Sequence, residues 1–177
     1  MRADHASAVV AVAVLLAAVA GCSAAAEIPD VPAAAPSAAV AAVPDIPVPR
    51  TAGDCSVLSV EQVEELNGER IGSVLVDPTV DPPACFFTDL GGAVVASVWV
   101  ARTAAETTAV QVVDRATPIS SSSPASEPAG WSGGRSGGPD GSVYAVARGT
   151  TAIVVTTTQP QSVRAQRLAL AAVETIG

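Results

Sequence analysis

A chain of 177 residues that is 49% apolar but poor in aromatic side chains fits one compact domain plus extensions. It contains no lysine, nine arginines and seventeen acids, for a net charge of −8. Such a surface repels phosphate backbones and acidic lipid headgroups, which excludes nucleic-acid binding and polybasic membrane attachment as expected modes.

Residues 1–21 read as a signal peptide. Arg2 supplies the positive start, and Ala6 to Ala20 is an almost unbroken apolar run, short of the roughly 20 residues that a spanning helix prefers. The run ends in Val19-Ala20-Gly21-Cys22, which resembles the bacterial lipobox. Small residues before the cut suit a narrow peptidase cleft, and the Cys22 thiol accepts a diacylglycerol as a thioether. Two acyl chains supply the two hydrophobic signals that stable anchoring needs. The expected location is therefore the extracytoplasmic face of the cell membrane, with Cys22 as the lipidated residue. Removing residues 1–21 takes away one arginine and one acid, so the mature chain keeps its charge of −8.

Residues 22–53 form the expected tether. Prolines at 29, 32, 36, 44, 47 and 49 leave no helical or alternating period, as in an extended polyproline-type spacer. Pro44-Asp-Ile-Pro47 is read as spacer in preference to a recognition motif. The folded domain is expected over 54–177. Cys55 and Cys85 remain once Cys22 is lipidated, an even number in an oxidising compartment, and a disulfide is expected between them. A reactive thiol would need a cationic or histidine neighbour, and neither cysteine has one in sequence.

The elements follow in chain order. Ser59-Val-Glu-Gln62 is a capping box that opens a helix over 60–66, with Asn67-Gly68 as its stop. Arg70 to Val76 reads as a strand, and Asp77 to Pro83 as a proline-broken loop. Ala84–Thr88 and Ala93–Ala101 read as a hairpin across Asp89 to Gly92. Thr103-Ala-Ala-Glu106 is a second capping box for a helix to Arg115. Residues 116–141 read as a long loop. Val143–Ala147 and Thr151–Thr157 form a β-branched hairpin across Arg148-Gly-Thr150. Ser162 is expected to cap a last helix, with Ala165, Leu168, Ala169, Ala172, Val173 and Ile176 on one face. The fold class expected is α+β: an antiparallel sheet of about five strands, covered on one face by amphipathic helices and closed by one disulfide.

Motifs for catalysis are thin. Gly130-Trp-Ser-Gly-Gly134 matches G-x-S-x-G, but its flanks are glycine, proline and serine, not a strand and a helix. The only histidine, His5, lies in the signal peptide, so a mature chain holds neither histidine nor lysine to activate Ser132. Gly133-Gly-Arg-Ser-Gly-Gly138 lacks the lysine of a phosphate loop and reads as flexible. Without histidine, zinc and copper have only carboxylates. Asp77, Asp81 and Asp140 lack EF-hand spacing and suit turns better than calcium. No cofactor or metal is expected. Phe86, Phe87 and Trp99 suit the core. Trp131, in a polar stretch, suits either a lid over the sheet or an exposed contact, and with Arg135 it is the candidate binding residue.

Three stretches carry a family resemblance: Asp81-Pro-Pro-Ala-Cys-Phe-Phe87, Glu127-Pro-Ala-Gly-Trp-Ser-Gly-Gly134, and the segment from Val143 to Thr157. With Cys55 and Val63-Glu-Glu-Leu-Asn-Gly68, they resemble an actinobacterial lipoprotein domain, domain of unknown function twenty-twenty, over roughly 54–177. The resemblance implies an envelope lipoprotein of corynebacteria, mycobacteria and relatives, and it brings no functional residues with it. Alanine-rich, lysine-free usage agrees with GC-rich coding in such a host. The function expected is a non-enzymatic binding or accessory role toward an envelope protein or an apolar envelope molecule. The alternative is a carboxylate-based hydrolase of cell-wall glycan, which two converging acids would serve.

Overall fold

The computed structural model describes residues 42–177. Cys22, the signal peptide and the first part of the tether lie outside these residues. Strands are β1 (Thr51–Ala52), β2 (Ser73–Asp77), β3 (Ala84–Thr88), β4 (Val94–Arg102), β5 (Ser123–Ala125), β6 (Ser132–Gly138), β7 (Gly141–Arg148) and β8 (Thr151–Thr157). Helices are α1 (Val60–Asn67), α2 (Glu106–Ala116) and α3 (Ser162–Ile176). The strands make one antiparallel sheet in the order β1-β2-β3-β4-β8-β7-β6-β5. It has eight strands where the sequence suggested about five.

Local chemistry explains most of the boundaries. The Ser59 hydroxyl accepts from the Gln62 amide at 3.2 Å, and the Gln62 side chain accepts from the Ser59 amide at 2.8 Å. That reciprocal pair starts α1, and Gly68, at φ 80°, ends it in the left-handed conformation that glycine takes without a Cβ penalty. The second expected capping box does not form. Ala105 occupies the N-cap of α2 without a side-chain bond, because the Thr103 hydroxyl donates instead to the carbonyls of Ala105 and Thr150. Ser162 likewise is the first residue of α3, and Gln161 precedes it as the N-cap.

Helices cover both faces, correcting the one-face expectation. α3 presents Ala165, Leu168, Ala169 and Ala172 to a face made by Phe87, Val98, Val100, Tyr144, Val146, Ile153 and Val155. Val63 of α1 joins that cluster. On the opposite face, Ala109, Val112 and Val113 of α2 pack on Trp99, Ala101, Ala145, Ala147, Ala152 and Val154. The cause is visible in β7 and β8, whose apolar runs at 144–147 and 152–155 are continuous, not alternating, as in strands buried on both sides. Phe86, Phe87 and Trp99 are core residues, as expected. Cys55 and Cys85 are disulfide-bonded, with Cα atoms 5.6 Å apart, which ties the approach to α1 onto β3.

The end of the tether also departs from expectation. Residues 51 and 52 are β1, paired with Val76 and Leu75 of β2, and the segment before them lies on the α2 face as a strap. Pro47 is buried, and the Arg115 guanidinium donates to the Pro44 carbonyl. The fastening is Asp77, whose side chain is 1% exposed. Its carboxylate accepts from the Val48 amide at 2.9 Å, from Arg50 Nε at 2.8 Å, and from the amide and hydroxyl of Thr79 at 3.1 and 2.6 Å. The Thr79 hydroxyl bond, with the Val48 and Thr79 amides and Arg50 behind it, outweighs burial and holds the Asp77 carboxyl well below the usual carboxylate range. Prolines thus extend this segment without detaching it.

Candidate functional site

The segment read as a loop over 116–141 contains β5 and β6 and forms one wall of a cleft. α2 supplies Val110 and Val113, the turn after it supplies Ile119, and β5 supplies Pro124. The backbone of Gly133 and Gly134 contributes from β6. The cavity measures about 420 Å³, within the range of small-ligand sites. Ile119 is 84% exposed and Val110 44%, so the cleft has a solvated aliphatic rim.

Its polar groups are few. Thr117 and Ser122 lie along it, but the Thr117 hydroxyl donates to the Val113 carbonyl at 3.0 Å, and the Ser122 hydroxyl to the Pro118 carbonyl at 2.9 Å. Both donors therefore serve to close the turn. Ser123 and Ser132 stand at the exposed edge, and among the described residues Asp114 is the one charged residue lining the cavity. Glycine is required at 134 because a Cβ there would lie 2.6 Å from the Thr117 hydroxyl oxygen. The close approach of the α2 terminus to β6 depends on that missing carbon.

Trp131 and Arg135 belong to the other side of the sheet. Trp131 is 3% exposed and packs in the α3-side core, so of the two arrangements considered it takes the lid. The Arg148 guanidinium lies 4.9 Å from the Trp131 ring centroid, while the indole Nε1 is buried with no partner among the described residues. Arg135 is exposed on β6, directly across from Tyr144 of β7. The Tyr144 hydroxyl donates to the Glu127 carbonyl at 2.8 Å, and burial pushes its phenol above the ordinary value. Strand alternation places Trp131 and Arg135 on one face and Ser132 and Gly134 on the other. The two candidate residues therefore do not meet the cleft, whereas Ser132 does. Ser132 sits within β6, not at a strand-to-helix elbow.

Two carboxylates away from the cleft have structural occupations. Glu69 and Asp89 line a second hollow of about 550 Å³ beside Arg70 and Leu90. Asp89 accepts from the amides of Gly91 and Ala93 at 2.8 and 2.9 Å, which forms the β3–β4 turn. Glu69 accepts from the Thr158 hydroxyl and the Gln159 amide group. Among the described residues no three of the His, Cys, Asp and Glu side chains gather as a metal site, and no helix is long and apolar enough to cross a membrane.

Sequence reasoning missed the cleft because its β6 wall carries four glycines in seven residues and shows no hydrophobic period. The available signal was the pair of aliphatic residues, Val110 and Ile119, outside the buried stripe of α2. Comparison with curated proteins finds no match. A family model does match residues 38–177, which takes in the strap as well as the sheet and all three helices described, and the chain belongs to the family described as Domain of unknown function (DUF2020).

Proposed function

We propose that the chain is a lipoprotein held through Cys22 on the extracytoplasmic face of the cell membrane, with a non-enzymatic binding role exercised at the cleft between α2 and β5–β6. The location is supported by Val19-Ala20-Gly21-Cys22 at the end of the apolar run. The role rests on one observation: an aliphatic concavity whose rim leaves Ile119 and Val110 in water. Large apolar side chains held in solvent around a concave site mark a place where something apolar binds. Burying them on a ligand returns roughly 25 cal/mol for each Å² of apolar surface removed from water. The occupant is an apolar envelope molecule, and an apolar segment of an envelope protein is the other outcome to be tested.

Two measurements test the reading. Cys22→Ala releases the protein from the membrane fraction and abolishes labelling by palmitate; retention of both in the variant refutes the anchor. Val110→Glu combined with Ile119→Glu changes only exposed side chains. Native mass spectrometry of the detergent-extracted protein is expected to show an apolar adduct on the parent chain that the double variant loses. An identical adduct on both places the binding elsewhere.

A further inference from the structure

We propose that the cleft selects a single apolar chain carrying a cationic head, and discriminates against anionic amphiphiles such as fatty acids and acidic phospholipids. This rests on the binding role assigned above to the same cleft. The chain portion is matched by the aliphatic lining from Val110, Val113, Ile119 and Pro124. The head portion is matched by what surrounds them. An anion held at such a site needs a cation or free N–H and O–H donors to offset the water it loses. Among the described residues the cleft has no cationic side chain in its lining; the hydroxyls of Thr117 and Ser122 are committed to carbonyls of their own turn, and those of Ser123 and Ser132 stand at the solvated edge with no positive charge beside them in the lining. Arg115, the nearest basic residue in sequence, points its guanidinium to the Pro44 carbonyl of the strap. The charge present is the Asp114 carboxylate, exposed at the rim. It attracts an ammonium group and repels a phosphate or carboxylate, and the chain's net charge of −8 adds to both effects.

Three decyl probes, each with a photoreactive diazirine in the chain, separate the possibilities: one with a trimethylammonium head, one with maltoside and one with phosphate. The full chain in its membrane is irradiated with each and digested with trypsin. In this lysine-free sequence, cleavage after Arg102, Arg115 and Arg135 places the whole cleft on peptides 103–115 and 116–135. The trimethylammonium probe is expected to label these two peptides at about one-tenth the concentration that the phosphate probe requires, with maltoside between them. That ratio corresponds to an exposed ion pair on one side and the matching repulsion on the other. Asp114→Arg is expected to invert the order, because residue 114 is exposed and its exchange leaves the core unchanged. Equal or better labelling by the phosphate probe, or an order unchanged in Asp114→Arg, overturns the charge selection while leaving the cleft as the binding site. Failure of all three probes to label the two peptides above the rest of the chain overturns the cleft itself.

Discussion

Truncation of Trp131 tests whether this residue closes the core or serves as a contact. The side chain is 3% exposed in the α3-side cluster. Replacing a buried Trp with Ala ordinarily costs about 3–5 kcal/mol through lost burial and the cavity left behind. Loss of the Arg148 stacking adds about 0.5–1 kcal/mol, since Arg148 is exposed. An opposing term comes from the indole N–H, which is buried without a partner among the described residues, so its removal returns about 1–3 kcal/mol. Taken at their midpoints, these terms leave a destabilisation for Trp131→Ala of about 3 kcal/mol. Trp131→Phe keeps most of the ring and removes the N–H, so its cost is about 1 kcal/mol or less by the same terms. Arg148→Ala costs no more than about 1 kcal/mol. Urea unfolding followed by far-ultraviolet circular dichroism measures all three without relying on the deleted fluorophore. An Ala variant within about 1 kcal/mol of the parent refutes the lid. A Phe variant as unstable as the Ala variant refutes the account of the indole N–H.

Three further outcomes follow from the fastenings of the domain. Exchanging both Cys55 and Cys85 for Ala opens a loop whose ends are 30 residues apart, with an expected loss of about 3.5 kcal/mol on the chain-entropy model; a urea midpoint unchanged from the oxidised parent contradicts it. Asp77→Asn removes the charge that holds Val48 and Arg50, so trypsin at neutral pH is expected to cut after Arg50 faster in the variant, and equal rates contradict the clasp. The pH dependence has a definite sign. The folded carboxyl lies below its ordinary value, so its stabilisation is complete above an unfolded Asp pKa of about 4 and is lost as pH falls through the lower folded value. Exchange protection of the Val48 amide is therefore expected to hold at pH 5 and to fall only below about 4.

What the sequence revealed depended on side chains speaking for the backbone. The first capping box, the β7–β8 hairpin and the disulfide each have residue types that perform the structural task themselves. Thr151–Thr157 is read to its ends because β-branched residues fill it. β6 escapes the same reasoning. Ser132–Gly138 forms a strand because β7 offers it a ladder, and its glycines answer to neighbours far away in sequence. At Gly133 a Cβ would come 2.0 Å from the Ala145 carbonyl oxygen, and at Gly137 2.4 Å from that of Pro160. The strap shows the opposite error. Prolines indicated an extended segment correctly, but Asp77, 27 residues beyond Arg50, decides where it lies. The cleft combines both causes, since one wall is β6 and the other is the less buried side of α2.

The disulfide also sets a path for force. Tension arriving from the N-terminal side first loads the strap, at Pro44, at the Asp77 clasp and along β1. Once these peel, only Gly53 and Asp54 separate β1 from Cys55, and the bond to Cys85 carries the pull directly into β3. β3 lies inside the sheet, flanked by β2 and β4. The chain between the two cysteines, with all of α1 and β2, is left off the covalent load path. A mechanical disturbance at the tether would thus spend itself on a peripheral, re-dockable strap, and the sheet that forms the floor of the cleft would be strained last.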